Sequence, residues 1–145
     1  MSVFVVDASV VIKWFLPEIH SEAARRLLEQ DHEYLAPDLL FAETANTIWK
    51  KMRRGELSPA QGERLVTDLG TIAVETVPVR TLASDAYSLA ATTGRTVYDA
   101  LYLALALRLD TQMITADERL VSALAGNPAL APHIQSLHGV QPGGS

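Results

Sequence analysis

Short apolar or β-branched segments alternate along the chain with longer segments in which apolar residues recur at helical spacing. The short segments predict strands at Val3–Val6, Glu33–Ala36, Val74–Val77 and Gln112–Thr115, with a further candidate at Gln135–Leu137. The longer segments predict helices at Val10–Gln30 (broken near Pro17), Pro37–Arg53, Ser58–Thr71, Arg80–Thr92, Val97–Leu109 and Asp117–Gly126. Strands that alternate with helices are typical of βαβ units, so we predict an α/β fold with a parallel sheet covered on both faces.

Two segments indicate where the interior lies. Val3–Val6 is apolar without alternation, which is typical of a strand buried on both faces. Val97–Leu109 is apolar on nearly every side, so this helix is expected inside the protein.

Length and composition limit the kind of protein. The chain has 145 residues, of which 48% are hydrophobic and none is cysteine. We expect one domain over residues 1–140 and a flexible tail over residues 141–145. The absence of cysteine excludes disulfide scaffolds, zinc fingers and thiol catalysis. The longest apolar run, Ala100–Leu107, is shorter than a membrane span, and the chain starts without a secretory signal pattern, so a cytoplasmic protein without a membrane association is expected.

The charge balance is acidic, with 12 Lys and Arg against 17 Asp and Glu and a formal charge of −5. Proteins that coat nucleic acids nonspecifically are usually basic. Any contact with a nucleic acid must therefore be local, for instance through a metal ion held by carboxylates.

Two acidic residues lie within two positions of the ends of predicted strands. Asp7 follows the first strand, and Asp117 follows the fourth. Ligands of open parallel sheets bind beyond the carboxyl ends of strands, where the strand order reverses, so both acids stand where a site is expected. Each also fits a structural role. Asp7 can cap the helix that starts at Ser9, while Thr115 and Glu118 have the spacing of a capping box.

Asp99 is the only acid in the apolar segment Val97–Leu109. Burying an unpaired carboxylate costs several kcal/mol, so Asp99 needs a partner. Thr96 and Asp99 have the spacing of a capping pair, and the helix dipole favours an acid in the first turn. These effects compensate part of the charge, and a metal ion would compensate the rest.

Glu43 lies in the predicted helix Pro37–Arg53. Helical spacing predicts that one face of this helix is an apolar stripe, formed by Phe41, Ala45, Ile48, Trp49 and Met52. Glu43, Asn46 and Lys50 share the opposite face, so periodicity alone predicts that Glu43 is a solvated surface acid. Glu43 becomes a candidate site residue only if the other acids lie close to it in the fold.

Together, these four acids are typical of a site for a hard cation. Crowded carboxylates repel one another, and Mg²⁺ or Mn²⁺ relieves that repulsion. Cleavage of a phosphodiester uses the same arrangement, because the ion activates water and neutralises charge on the phosphate. The four histidines, at positions 20, 32, 133 and 138, show no ligand spacing and are expected on the surface or in packing.

Four motifs, each containing one of the acids, resemble in this order those of the PIN-domain family. They are Val5-Val6-Asp7-Ala8-Ser9, Pro37-Asp38-Leu39-Leu40 with Glu43 and Asn46, Thr96-Val97-Tyr98-Asp99-Ala100, and Thr115-Ala116-Asp117. The resemblance covers about residues 3–137, and the spacing and short length are similar to those of VapC-type toxins of type II toxin–antitoxin systems.

The resemblance implies a three-layer α/β/α sandwich with a central, mainly parallel sheet of about five strands. It also implies an endoribonuclease that hydrolyses RNA with Mg²⁺, for which Mn²⁺ can substitute. Asp7 and Asp99 would be metal ligands, with Asp117 contributing directly or through water. Glu43 would orient the water or a second ion. Hydrogen bonds that position these carboxylates would come from Ser9, Asn46 and Thr115.

The resemblance further implies a cognate VapB-like antitoxin that inhibits the toxin, and a homodimer. Trp14, Phe15 and Trp49 fit either the lining of an antitoxin groove or the core. Several basic residues fit contacts with RNA phosphates, with the antitoxin or, for the last four, only with solvent at a helix end: Lys13, Lys50, Lys51, Arg53 and Arg54.

Two other readings stay open. A receiver-like or aspartate-nucleophile phosphotransferase would place a second acid beside Asp7 or two residues after it, where this chain has Ala8 and Ser9. A non-catalytic PIN-like module would bind RNA or protein without cleavage, although the presence of all four acids favours an enzyme. P-loop ATPases are excluded, because the chain has no glycine-rich phosphate loop.

Overall fold

The computed structural model of the chain describes residues 2–17 and 20–140. Its strands are β1 Ser2–Val6, β2 His32–Pro37, β3 Glu75–Val77, β4 Gln112–Thr115 and β5 Ile134–Ser136. They form one sheet in the order β3-β2-β1-β4-β5, with every neighbouring pair parallel. All five predicted strands are therefore confirmed.

Seven α-helices accompany the strands in the described residues. They are α1 Ala8–Phe15, α2 Ser21–Leu28, α3 Leu39–Arg53, α4 Pro59–Leu69, α5 Ala83–Thr93, α6 Val97–Arg108 and α7 Glu118–Leu124. Short 3₁₀ helices lie at Val79–Thr81, Ala131–His133 and Leu137–Gly139.

The strand order reverses at β1. The chain moves outward from β1 through β2 to β3, then returns to the other side of β1 for β4 and β5. Because crossovers between parallel strands are right-handed, this reversal places α1–α4 on one face of the sheet and α5–α7 on the other. The predicted three-layer α/β/α sandwich is confirmed. A ligand site is expected at the carboxyl ends of β1 and β4.

Helix α6 lies at the centre of the core. It contacts β1, β2 and β4 and packs against α5. All residues of Ala100–Ala106 are at most 5% exposed, so the predicted interior helix is confirmed. Among the described residues, no helix combines the length and the apolar character that a membrane crossing requires.

The turn between α5 and α6 follows local signals. Gly94 ends α5 at a φ of 74°, a left-handed conformation that has little steric cost without a Cβ. Two residues later, Thr96 caps α6 by accepting a hydrogen bond from the backbone N–H of Asp99. The start of α6 is thereby fixed close to the carboxyl edge of the sheet.

Some boundaries differ from the prediction. The first helical segment, predicted as broken, forms α1 and α2 on either side of Pro17. Pro37 belongs to β2 instead of the following helix. It pairs with Val77 at the end of the strand, where the N–H of Asp38 donates to the Val77 carbonyl (2.9 Å), so the missing proline N–H is tolerated. The predicted tail, residues 141–145, lies outside the described residues.

The predicted apolar stripe of α3 is partly wrong. The buried residues of this helix are Leu40, Thr44 and Ile48, spaced four apart, whereas Trp49 is 49% exposed. The pattern misled because Thr44 is polar although it is buried, and because a single large apolar side chain on the surface is common.

Replacing Leu105 with alanine is expected to lower the free energy of unfolding by about 2–5 kcal/mol, because it leaves a cavity between α6 and the sheet. Urea unfolding followed by tryptophan fluorescence measures the change. Leu109→Ala, the same substitution where the residue is 40% exposed, is the matched control and is expected to cost less than about 1 kcal/mol. Equal losses in the two variants would contradict the packing described for α6.

Candidate active site

Asp7 lies where β1 ends and α1 begins, and it is 8% exposed. Its carboxylate accepts hydrogen bonds from the N–H of Val10 (3.3 Å), Ser9 Oγ (2.5 Å) and Thr115 Oγ1 (2.5 Å). Burial raises the pKa of Asp7 to about 6, since a carboxylate removed from water favours its neutral form. The three hydrogen bonds oppose this shift, and nearby Glu43 adds to it. The capping role predicted for Asp7 is thus present, and it compensates the charge only in part.

The hydroxyls of Ser9 and Thr115 connect the start of α1 to the end of β4. Their oxygens lie 3.3 Å apart. The N–H of Ala116 donates to Ser9 Oγ and the N–H of Asp117 donates to Thr115 Oγ1, each over 3.0 Å. This network holds the loop after β4 against Asp7, so both hydroxyls contact the carboxylate that they were expected to position.

Asp99 lies in the first turn of α6 with its side chain about one-third exposed. Its N–H donates to Thr96 Oγ1 (3.1 Å), while its Oδ2 lies 3.7 Å from Arg95 Nη2. Burial raises the pKa of Asp99, Arg95 opposes that shift, and Asp117 adds to it. Of the expected capping pair, the hydrogen bond from the Asp99 N–H to the Thr96 side chain is present. The Asp99 carboxylate lies near the charges of Arg95 and Asp117.

Asp117 caps α7. Its Oδ1 accepts hydrogen bonds from the N–H groups of Arg119 (3.0 Å) and Leu120 (3.2 Å). The capping box predicted from Thr115 and Glu118 is therefore wrong. Asp117 itself occupies the N-cap position and binds the free N–H groups of the first turn. Thr115 instead donates to Asp7, and Glu118 accepts a hydrogen bond from Ser136.

Glu43 lies on α3 and is held by α6. Tyr102 Oη donates a hydrogen bond to Glu43 Oε1 over 2.6 Å. Burial raises the pKa of Glu43, the bond from Tyr102 opposes the shift, and the charge of Asp99 adds to it. The expectation of a solvated Glu43 is wrong, because Glu43 is partly buried and the hydroxyl of Tyr102, carried by α6, contacts its carboxylate.

The four acids influence one another electrostatically. The charge of Glu43 raises the pKa of Asp7, that of Asp99 raises the pKa of Glu43, and that of Asp117 raises the pKa of Asp99. Burial, the bond to Glu43 and the charges of Glu43, Asp7 and Asp99 raise the pKa of Tyr102 well above its usual range. Four carboxylates from separate elements therefore converge at the carboxyl edge of β1 and β4; we call them the acidic cluster.

The acidic cluster fits a hydrated hard cation better than a closed metal centre. Within the described residues, no group of three or more Asp, Glu or His side chains is arranged to hold a metal ion by itself. Mg²⁺ does not require such a group, because it keeps several water ligands and commonly binds through one or two carboxylates. The buried carboxylate of Asp7 and the half-buried carboxylate of Asp99 supply oxygen donors of the kind that such an ion prefers.

Asn46 is placed differently from the other expected positioning residues. It is exposed on α3, one turn after Glu43. In the part of the chain that the structure describes, no hydrogen bond joins its side chain to the acidic cluster.

The three aromatic residues considered for a partner groove have separate surroundings. Trp14 Nε1 donates to the carbonyl of Ala24 (2.8 Å) and ties α1 to α2. Phe15 is partly buried against the core. Trp49 is exposed on α3, with the guanidinium of Arg53 5.2 Å from the centre of its ring.

The basic residues considered for contacts with RNA or an antitoxin also have different surroundings. Lys13 is buried on α1, which removes it from the surface that RNA would meet. At the end of α3, Glu56 lies 2.6 Å from Arg54 and 3.9 Å from Lys51. Part of the positive charge at this helix end is thus already paired within the chain.

Tyr102 and Arg95 are the site residues that the sequence analysis did not identify. Tyr102 follows Asp99 by three positions in an interior helix, and a buried tyrosine hydroxyl usually needs a partner. Arg95 precedes Asp99 by four positions, the spacing of an ion pair on one helical face. Both signals are present in the sequence, but they acquire meaning only once the structure shows that Tyr102 reaches Glu43 on α3 and that Arg95 lies beside Asp99.

Comparison with known proteins agrees with this geometry. Residues 4–125 match the model of the PIN domain family. The chain is 36% identical over 118 residues to ribonuclease VapC3 of Pyrobaculum aerophilum, a match that covers 80% of this chain and 90% of that protein.

Two solved structures share the fold. The crystal structure of PAE2754 from Pyrobaculum aerophilum matches with a TM-score of 0.67 at 23% identity, over 95% of this chain and 93% of that chain. A toxin–antitoxin complex from Klebsiella pneumoniae matches with a TM-score of 0.62 at 17% identity, over 92% and 96%. Since the family match spans most of the sequence and its acidic motifs meet at one edge of the sheet, the chain belongs to the PIN-domain family, where it is similar to the VapC ribonucleases.

Proposed function

We propose that this protein is the toxin of a toxin–antitoxin pair and acts as an endoribonuclease that depends on Mg²⁺, with Mn²⁺ as a substitute. The observation that carries the proposal is the acidic cluster, in which four carboxylates lie within electrostatic reach at the switch point of the sheet. The similarity to a VapC ribonuclease supports the same reaction.

Asp7 and Asp99 would hold the metal ion, with Asp117 contributing directly or through water. A bound ion would supply an activated water and would neutralise charge on the phosphate. Ser9 and Thr115 keep the carboxylate of Asp7 in one orientation, which is what an outer hydrogen-bonding group does for a metal ligand.

Glu43 is the residue that orients the attacking water. The bond from Tyr102 engages Oε1 and fixes the side chain, so Oε2 is left to accept a proton from water. Burial raises the pKa of Glu43, and a carboxylate with a raised pKa is a better general base near neutral pH.

We further propose a cognate VapB-like antitoxin as the inhibitor, a homodimer as the assembly and the cytoplasm as the location. The fold shared with a protein from a toxin–antitoxin complex supports the antitoxin partner. The alternative, a PIN-like module that binds RNA or protein without cleavage, is separated from the enzyme by the first experiment below.

The purified protein is expected to cut total cellular RNA into discrete fragments with Mg²⁺, and Asp99→Asn is expected to reduce cleavage at least about a hundredfold, because it removes a metal ligand. Gel analysis with and without a chelator measures the effect. Asp68→Asn, which changes an exposed acid on α4, is the matched control and should cleave normally. Folded, metal-binding protein that does not cut would favour the binding module, and cleavage that survives both Asp99→Asn and the chelator would show that the acidic cluster is not the site.

Mg²⁺ is expected to raise the melting temperature more at about pH 7.5 than at about pH 5, because protons compete with the ion for Asp7. In the metal-free protein, the pKa of Asp7 is higher in the folded state than in the unfolded state. Protonated Asp7 therefore favours folding when the pH is below the usual pKa of an aspartate, and this contribution is lost as the pH rises toward about 6. An ion restores stability above that range.

Thermal unfolding with and without a chelator gives the measurement for this metal effect. Asp7→Asn should abolish the pH-dependent part of the shift, whereas Asp68→Asn should keep it. An equal Mg²⁺ effect at both pH values would argue against Asp7 as a ligand.

Tyr102→Phe is expected to lower cleavage near pH 7 by about tenfold, because loss of one hydrogen bond to a charged group frees the side chain of Glu43 from its position. The same loss raises the pKa of Glu43, since the bond from Tyr102 opposes that shift. The acidic limb of the pH–rate profile should therefore move to higher pH. Tyr98→Phe removes the hydroxyl of an exposed neighbour of Asp99 and serves as the control. An unshifted profile in Tyr102→Phe would remove Glu43 from the role of base.

A further inference from the structure

Arg95 is a basic side chain directly beside the acidic cluster. It lies in the turn between Gly94 and Thr96, where its N–H donates to Thr93 Oγ1 (3.2 Å). This turn fixes its backbone, and the start of α6 then brings its guanidinium to within 3.7 Å of Asp99. Its position is therefore set by the same local structure that sets Asp99.

Among the described residues, no hydrogen-bond partner is found for the guanidinium of Arg95. Nε is buried and has no hydrogen-bond partner among the described residues. Nη2 lies 3.7 Å from Asp99, which is beyond hydrogen-bond distance. About one third of the Arg95 side chain is exposed, so part of it reaches solvent next to Asp99. A guanidinium beside a reaction site, with donors unused, is suited to a further anionic partner.

An RNA substrate needs such a group at this place. The chain has a formal charge of −5, and the acidic cluster adds negative charge where a phosphate would approach. Arg95 is the basic side chain that acts on the raised pKa of a cluster acid in the described structure. The basic end of α3, by contrast, is partly paired with Glu56.

We propose that Arg95 is a phosphate-binding residue of the active site, whose guanidinium holds the nonbridging oxygens of the RNA phosphate that lies over Asp99; this assignment rests on the ribonuclease function proposed above. The planar guanidinium can present two parallel N–H groups to one phosphate, which fixes orientation as well as supplying charge. Its contact with Asp99 is the resting arrangement, and an RNA phosphate would add an anionic acceptor for the guanidinium donors that Asp99 leaves free. The acidic protein thereby gains one local point of attraction for a polyanion.

Salt dependence of RNA binding tests this role, because each phosphate contact contributes about 0.7 to the slope of log affinity against log salt for a single strand. The probe is a fluorescent single-stranded RNA pool of random sequence, about 20 nucleotides long, in Mg²⁺ buffer. Binding is followed by anisotropy in the Asp7→Asn background, which prevents cleavage. Arg95→Gln is expected to weaken binding about tenfold and to reduce the slope by about 0.7.

Two further variants separate phosphate binding from support of Asp99. Arg95→Lys keeps the charge and should keep the slope, with weaker binding from the loss of the paired contact. Arg64→Gln removes an exposed arginine from α4 and should change neither quantity. Circular dichroism melts show whether each variant is folded.

An unchanged salt slope in folded Arg95→Gln would overturn the proposal. This holds even if Arg95→Gln lowers cleavage in the otherwise wild-type protein, because lower cleavage with an unchanged slope would mean that Arg95 only positions Asp99. The ribonuclease function would then still stand if the wild type cuts total RNA. If the wild type neither cuts total RNA nor binds the pool, the proposed function itself is wrong and the role of Arg95 falls with it.

Discussion

Carboxylates gathered at one edge of a sheet repel one another, and this fold offsets the repulsion with hydrogen bonds to the carboxylates from hydroxyl and backbone N–H groups. Asp7 is buried deeply enough that its pKa rises to about 6, yet it is surrounded by two hydroxyls and a helix N-terminus. Those contacts come from α1 and from the end of β4, which meet only because the strand order reverses at β1. The reversal therefore determines both where the cluster stands and which groups stabilise it.

Rigidity at the cluster comes from the interior. Asp99 and Tyr102 are carried by α6, whose residues Ala100–Ala106 are buried against three strands. Tyr102 in turn holds Glu43 on α3, so a residue on the edge of one helix is positioned by the core of another. Side chains supported in this way lose little conformational freedom when a ligand binds, which is the general advantage of placing functional groups on packed elements.

The fold was largely predictable because local and global signals agree in this sequence. Val3–Val6 is apolar on both faces and lies in the centre of the sheet, and Val97–Leu109 is apolar all round and forms the central helix. The acids at strand ends were predictable for the same topological reason. The environment of Glu43 was not predictable, because it depends on Tyr102 from a different helix, whereas hydrophobic periodicity describes the faces of a single helix. Thr44 and Trp49 mark the same limit, because burial is decided by what packs against a helix.

The bond between Thr115 and Asp7 joins residues 108 positions apart, and this separation has a kinetic meaning. Contacts so distant in the chain form late, because a long loop must close before they contribute any stability. During synthesis Asp7 leaves the ribosome long before β4 exists, and a truncated chain that stops before Thr115 lacks both the neighbouring strand and Asp117. The nascent protein thus carries its acids separately, and Asp7 and Asp117 come together only when β4 pairs with β1.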